Sequence, residues 1–294
     1  MRRRIYHEQP ISRLAIWARR IAYFSLAATF IAVIIVRSGA LDIVPALSTL
    51  AGALVLACVA ILLACGAGVV IWREGVGGGR HAATAVFIGL ALIAYPLYLG
   101  IKAYHLPAIS DITTDPIDPP QFDAIARLRP RDANPVVYAG LYAAEQQHAA
   151  YSDIEPDDTT STPQEAFDAA LKVIVKRRWR IVDTRPPQLF ALRAGETRTA
   201  QAASGRDGII EAVARTPILG FRDDVVVRIR PTSDGARIDV RSASRYGRND
   251  IGTNAARVRN LIDDIDDVLA APVPEKKAPA PPRQPAPKGA AAKR

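Results

Sequence analysis

Cysteine is nearly absent from this chain: Cys58 and Cys65 are the only two among 294 residues. Both fall in the first hundred residues, so residues 103–270 are predicted to hold no disulfide, no thiol nucleophile and no cysteine metal site. Histidine is almost as scarce, with four in all. Beyond residue 102 only His105 and His148 remain, and neither belongs to a metal-binding pair. No cofactor and no metal is implied. Charge is missing too, in three runs. Ile21–Val36 (16 residues), Ile43–Trp72 (30) and Ala82–Ile101 (20) contain no Asp, Glu, Lys, Arg or His.

Those runs are predicted to cross a membrane. A helix rises about 1.5 Å per residue, so about 20 apolar residues span about 30 Å of hydrocarbon. Spans are expected at about 16–37, 45–72 and 82–102, making residues 1–102 a membrane anchor. The first run is short, and Arg20 and Arg37 would snorkel to close the gap. The second is long, so it tilts or leaves the turn with Pro45 outside. Trp17, Tyr23, Trp72, Tyr95, Tyr98 and Tyr104 stand near the ends, as interfacial aromatics do. No charged side chain falls within the runs, which favours an anchor over a transport pathway. Cys58 and Cys65, seven apart, share a helix face and are expected to pack there. Ala64 and Gly68 form a small-xxx-small pair suited to close helix approach.

The net charge of +9 is not evenly placed. Residues 1–102 hold 10 basic and 3 acidic side chains, residues 103–270 hold 22 and 25, and residues 271–294 hold 6 and 1. The only part able to build a soluble core is mildly acidic, so no nucleic-acid partner is expected. The basic residues before the first span, with Arg73 and Arg80 between the second and third, assign those segments to the cytoplasm. An integral protein of the cytoplasmic (inner) membrane is predicted, with a periplasmic C-terminal domain if the source is Gram-negative. Cleavage of the first span at Ser38-Gly39-Ala40 is an alternative that leaves the rest of this topology intact. The Pro-, Ala- and Lys-rich tail 271–294 is predicted to be disordered and to touch anionic polymers or lipid headgroups.

For residues 103–270 the patterning predicts an α+β domain, an antiparallel sheet covered by helices on one face. Lys102–Pro120 reads as a non-helical, proline-rich lead-in. Residues 121–162 are ambiguous, apart from a short helix at Ala139–Ala150. Thr162-Pro163-Gln164-Glu165 is a capping box with proline at the first helical position. Phe167, Ala170, Leu171, Ile174 and Val175 continue it as an apolar stripe. Strands are predicted at Trp179–Val182, Leu189–Leu192, Ile209–Thr216, Val225–Arg230 and Arg237–Ser242, with a polar loop at Ala194–Gly208. In the last two, apolar residues alternate with Arg228, Arg230, Asp239 and Arg241, which implies one core face and one charged face. A final helix at Asn254–Leu269 carries Asp263, Asp264, Asp266 and Asp267 opposite its apolar stripe.

The densest polar run, Arg241–Asn254, joins the last strand to the last helix. Its glycines allow positive φ, and Asp250 and Asn254 are placed to cap or brace the turn. Together with Gly220–Asp224 it sets Arg241 or Arg245 against Asp223 or Asp224. Two readings stand side by side. One is an Arg–Asp network that holds a long connection; the other is a small anion or sugar site built from Asp223, Asp224, Arg241, Ser242, Ser244, Arg245, Asp250 and Asn254.

These residues carry a likeness. Thr114-Asp115-x-x-Asp118-Pro119-Pro120, Phe221-x-Asp223-Asp224 and Arg241-Ser242-x-Ser244-Arg245-x-Gly247, with Tyr151–Pro156, resemble the uncharacterised domain-of-unknown-function family fourteen-ninety-nine, over roughly 105–270. The chain departs from that pattern with the polar loop near Ala194–Gly208. It also has Arg178 where a helix-ending glycine is usual before Trp179. The resemblance implies an envelope or lumenal location and brings no activity. Ser242 and Ser244 lack a nucleophile elbow, and carboxylates such as Asp115, Asp118, Asp223 and Asp224 have unknown separations. The residues therefore favour a non-enzymatic, membrane-anchored binding or scaffolding protein, with membrane lipid and an envelope protein, glycan or anionic polymer as partners. The competing reading is a hydrolase of envelope material working through Asp and Arg.

Overall fold

The computed structural model describes residues 10–39, 41–188 and 205–271. Three helices come first: α1 (Arg13–Ser38), α2 (Ile43–Glu74) and α3 (Gly79–His105), each long and apolar enough to cross a bilayer. Hydrocarbon offers no hydrophobic reason for helices to associate, so contact depends on small residues that let backbones approach. Ala15, Ala18 and Ala22 pack with Ala60, Ala64, Ala67, Ala82 and Ala85. At Gly89 a Cβ would lie 2.5 Å from the Ile61 side chain, so α2 and α3 meet closely there. Phe24, Phe30, Leu62 and Phe87 point outward. So do Cys58 and Cys65, against expectation. They do share a face, but the helix interface is made by alanines on another one. Gly68 is exposed as well.

The rest is mixed α and β. Its elements are β1 (Asp111–Thr113), α4 (Ala124–Leu128), α5 (Leu141–Ala150), β2 (Asp157–Thr159), α6 (Pro163–Lys176), β3 (Arg180–Arg185), β4 (Gly208–Arg215), β5 (Arg222–Pro231), β6 (Ala236–Ser244) and a final helix, α7 (Thr253–Ala270). The strands form one antiparallel sheet in the order β1-β6-β5-β4-β3, and β2 shares the outer edge of β6 with β1. The capping box is formed: the Thr162 hydroxyl accepts from the Glu165 N–H, and Glu165 accepts from the Thr162 N–H.

Three expectations need correction. The stretch after Lys102 is not wholly irregular, since α3 runs on to His105 and β1 pairs with β6. The strand expected at Val225–Arg230 is longer, because β5 already begins at Arg222. The segment 121–162 holds α4 and β2 besides the expected helix. The strand expected at Leu189–Leu192, most of the loop 194–208, and the tail beyond residue 271 lie outside the described residues.

The pairing register fixes which side chains share a face. Val225, Val227, Ile229, Ile238 and Val240 lie with Ile210 and Ala212 under α6 and α7, against Val173, Ile174, Leu261 and Ile265. The alternate residues, Glu211, Asp224, Arg228, Asp239 and Arg241, point the other way. That face is charged as the alternation implied, yet it is buried, covered by the strap from Thr114 to Tyr138 that includes α4.

Candidate functional site

The strap explains the charged face residue by residue. Arg241, fully buried, forms a bidentate pair with Asp111 at 3.0 and 2.7 Å. It also donates to the carbonyls of Pro120 and Val136, and its guanidinium lies 4.7 Å from the Phe122 ring. Beside it, Arg228 reaches Asp239 at 3.0 Å and Asp118 at 2.9 Å, while Arg230 reaches Asp115 at 2.8 Å. Asp115 turns the strap by accepting from the Ile117 and Asp118 N–H groups. The carboxylate of Glu211 accepts from the N–H groups of Asp123, Ala124 and Ile125, and so caps α4 from a neighbouring strand. Asp224 lies between Arg129 at 2.6 Å and Arg245 at 2.7 Å.

Asp223 faces the opposite side, so it and Asp224 cannot work as a carboxylate pair. Its partner is Arg257 at 2.5 Å. Burial pushes the Asp223 carboxyl up, against the pull of Arg257. Arg257 escaped the sequence reading, although it lies three residues after Asn254 and hence on the same face of α7. Asn254 is the hub. Its Oδ1 accepts from Ser242 and Arg257, and its Nδ2 donates to Ser244 Oγ and the Ser110 carbonyl. Its N–H donates to Asp250, which also accepts from the Gly252 N–H. Asp250 too is raised, chiefly by burial.

The eight candidate residues therefore separate into two groups. Asp224, Arg241 and Arg245 belong to the strap side, and Arg241 bonds to neither Asp223 nor Asp224. Asp223, Ser242, Ser244, Asp250 and Asn254 form one buried network where the sheet approaches the apolar helices. Three of these, Asp223, Ser244 and Asp250, line a cavity of about 270 Å³ whose other wall is Ile43, Leu47, Tyr95 and Leu99 from α2 and α3. The junction is fastened on both sides. Arg37, at the end of α1, donates to the carbonyls of Pro217 and Ile218 in the β4–β5 turn. Asn249 donates to the carbonyl of Ala103 in α3 at 3.1 Å. Gly220 has φ +71, and a Cβ there would meet Arg37 at 3.0 Å, so both its backbone and its space require glycine.

The family described as "Protein of unknown function (DUF1499)" matches residues 111–265, more than half of the chain. The chain belongs to that family. Of the four segments that carry the resemblance, all within the DUF1499 region, three converge on this sheet. Thr114–Pro120 is the strap's first turn, Phe221–Asp224 opens β5, and Arg241–Gly247 ends β6. Comparison with curated proteins gave no match, and comparison with solved structures gave none. Among the described residues, no group of three or more His, Cys, Asp or Glu side chains is placed to hold a metal ion.

Proposed function

We propose that this is an integral protein of the cytoplasmic membrane, N terminus in the cytoplasm, which presents residues 103–270 in the periplasm as a binding or scaffolding domain. One observation carries the reading. The ionic groups buried under the strap are bonded to one another, whereas the cavity between sheet and helices is lined by both apolar and polar groups. In the candidate set, Asp223, Ser244 and Asp250 are the ligand-facing residues; Ser242 and Asn254 brace them, while Asp224, Arg241 and Arg245 hold the strap on the other face of the sheet. A hydrolase has less support, because Asp223 and Asp224 lie on opposite faces and each is engaged by arginine. Partners outside the membrane would be an envelope protein, a glycan or an anionic polymer.

The topology is tested with single cysteines in a Cys58→Ala/Cys65→Ala background. Ser233→Cys, in the exposed β5–β6 turn, and Gly79→Cys, at the start of α3, are treated with an impermeant thiol reagent on intact spheroplasts. Labelling of position 233 alone supports this orientation; labelling of position 79 alone reverses it.

A further inference from the structure

The cavity at the junction has a neighbour. A second space of about 220 Å³ shares Ile43, Phe221 and Tyr246 with it and is lined by Arg37, Arg215 and Arg222. Arg215 and Arg222 stand directly opposite each other in the β4–β5 pairing, where like charges are destabilising. Asp42 and Asp132 line the same space, yet among the described residues neither forms an ion pair with these arginines. Burial, helped by Arg215, Arg245 and Arg180, disfavours the Arg222 charge. Two opposed, exposed guanidinium groups with no ion-pair partner among the described residues are placed to receive an anion. On the apolar side, Leu47, Tyr95 and Ile218 line the first cavity and are also exposed on the outer surface. That cavity is thus continuous with a surface that membrane lipid would cover.

We propose that the junction binds an anionic phospholipid, its headgroup phosphate on Arg215 and Arg222 and an acyl chain along the apolar wall of the adjoining cavity, formed by Ile43, Leu47, Tyr95 and Leu99. This deepens the binding-domain reading by naming a ligand class. It requires only that the three helices lie in a bilayer, not which side the sheet occupies. Failure of lipid binding and failure of the cysteine labelling are therefore separate results.

The test is thermal unfolding of the purified full chain in neutral detergent with phosphatidylglycerol, phosphatidylcholine or inorganic phosphate added. Phosphatidylglycerol is expected to raise the melting temperature, and the other two to leave it unchanged at equal concentration. Arg222→Gln, whose side chain makes no internal hydrogen bond among the described residues, is expected to melt higher without lipid, because a like-charge contact is relieved. It should also weaken the phosphatidylglycerol response by about tenfold or more. Arg215→Gln should do the same. Leu99→Trp, which fills the apolar side of that cavity, should weaken that response while the arginines remain. Equal responses to the two lipids would overturn the proposal, as would a response to inorganic phosphate matching that to phosphatidylglycerol. An undiminished phosphatidylglycerol response in both arginine variants would do so too.

Discussion

The two faces of the sheet are buried by opposite means. Under α6 and α7, valines and isoleucines meet the apolar stripes of two amphipathic helices. Each such side chain contributes about 1.5–3 kcal/mol by leaving water, and no single partner is indispensable. Under the strap, Arg241, Arg228, Asp239, Asp224 and Glu211 are buried in pairs and caps. There the cost of desolvating charge offsets most of the attraction, so the net gain is small. What the ionic face supplies is address. A strap broken by Pro116, Pro119, Pro120, Pro130 and Pro135 has little regular structure to guide it, and its path follows the groups that Arg228, Arg230, Arg241 and Glu211 bind. One face provides stability that tolerates change, and the other fixes a route that does not.

The sharpest way to break this comparison is to remove one charge. Arg241→Ala leaves Asp111 without its partner and is expected to cost about 3–5 kcal/mol in denaturant unfolding of the full chain. An Arg241→Met/Asp111→Leu pair should recover much of that loss, because the penalty comes from the orphaned charge. On the helix face, Ile238→Val should cost about 0.5–1.5 kcal/mol, with no second substitution able to rescue it selectively. A loss for Arg241→Ala no larger than that for Ile238→Val would remove the distinction between the faces.

A smaller effect, of the opposite sign, is expected where α6 ends on the helix side. The Arg178 N–H bonds to the Val175 carbonyl and the Trp179 N–H to the Ile174 carbonyl, the two bonds of a Schellman cap. The residue at its centre must adopt the left-handed conformation, and Arg178 has φ +56. The family pattern that this chain resembles has a glycine at this place. Arg178→Gly is expected to stabilise the chain by about 1 kcal/mol, read as a higher denaturant midpoint. A lower midpoint would mean that the arginine side chain holds something the backbone strain does not reveal.

Elements whose signals are local were legible before the structure. Charge-free runs give α1–α3, the Thr162–Glu165 box starts α6, and period-two alternation gives β5 and β6. The strap was not legible, because β1 and α4 are ordered by partners far away in the chain. Glu211 caps a helix 86 residues earlier, and Arg241 bonds an aspartate 130 residues earlier. The site was half legible for the same reason. The run Arg241–Asn254 announced itself by composition, and its Asp250–Asn254 brace is present. Arg257 lies in a helix whose sequence pattern is dominated by its apolar stripe, and Arg215 and Arg222 become neighbours only through strand register.

The smallest expected effect concerns carboxylates treated differently on the two sides. On the strap, the backbone N–H groups of Asp118 and Ile117 and the Arg230 guanidinium together outweigh burial and hold Asp115 below its usual range. At the helix-side edge, Asp266 of α7 is pushed up to about 6, first by burial and then by Asp157 of β2, with Asp263 and Asp267 adding to it. The sign follows from linkage. A carboxyl whose folded pKa lies above its unfolded value favours the fold while protonated, and that contribution disappears as pH rises from the ordinary 3.8 through about 6. At neutral pH Asp266 therefore opposes folding. Asp266→Asn is expected to raise the melting temperature at neutral pH, with the gain shrinking as pH falls below about 6. Asp115→Asn should lower the melting temperature at neutral pH, with the deficit closing only in stronger acid. If the two substitutions shifted stability in the same direction at neutral pH, the contrast between paired and opposed carboxylates would be wrong.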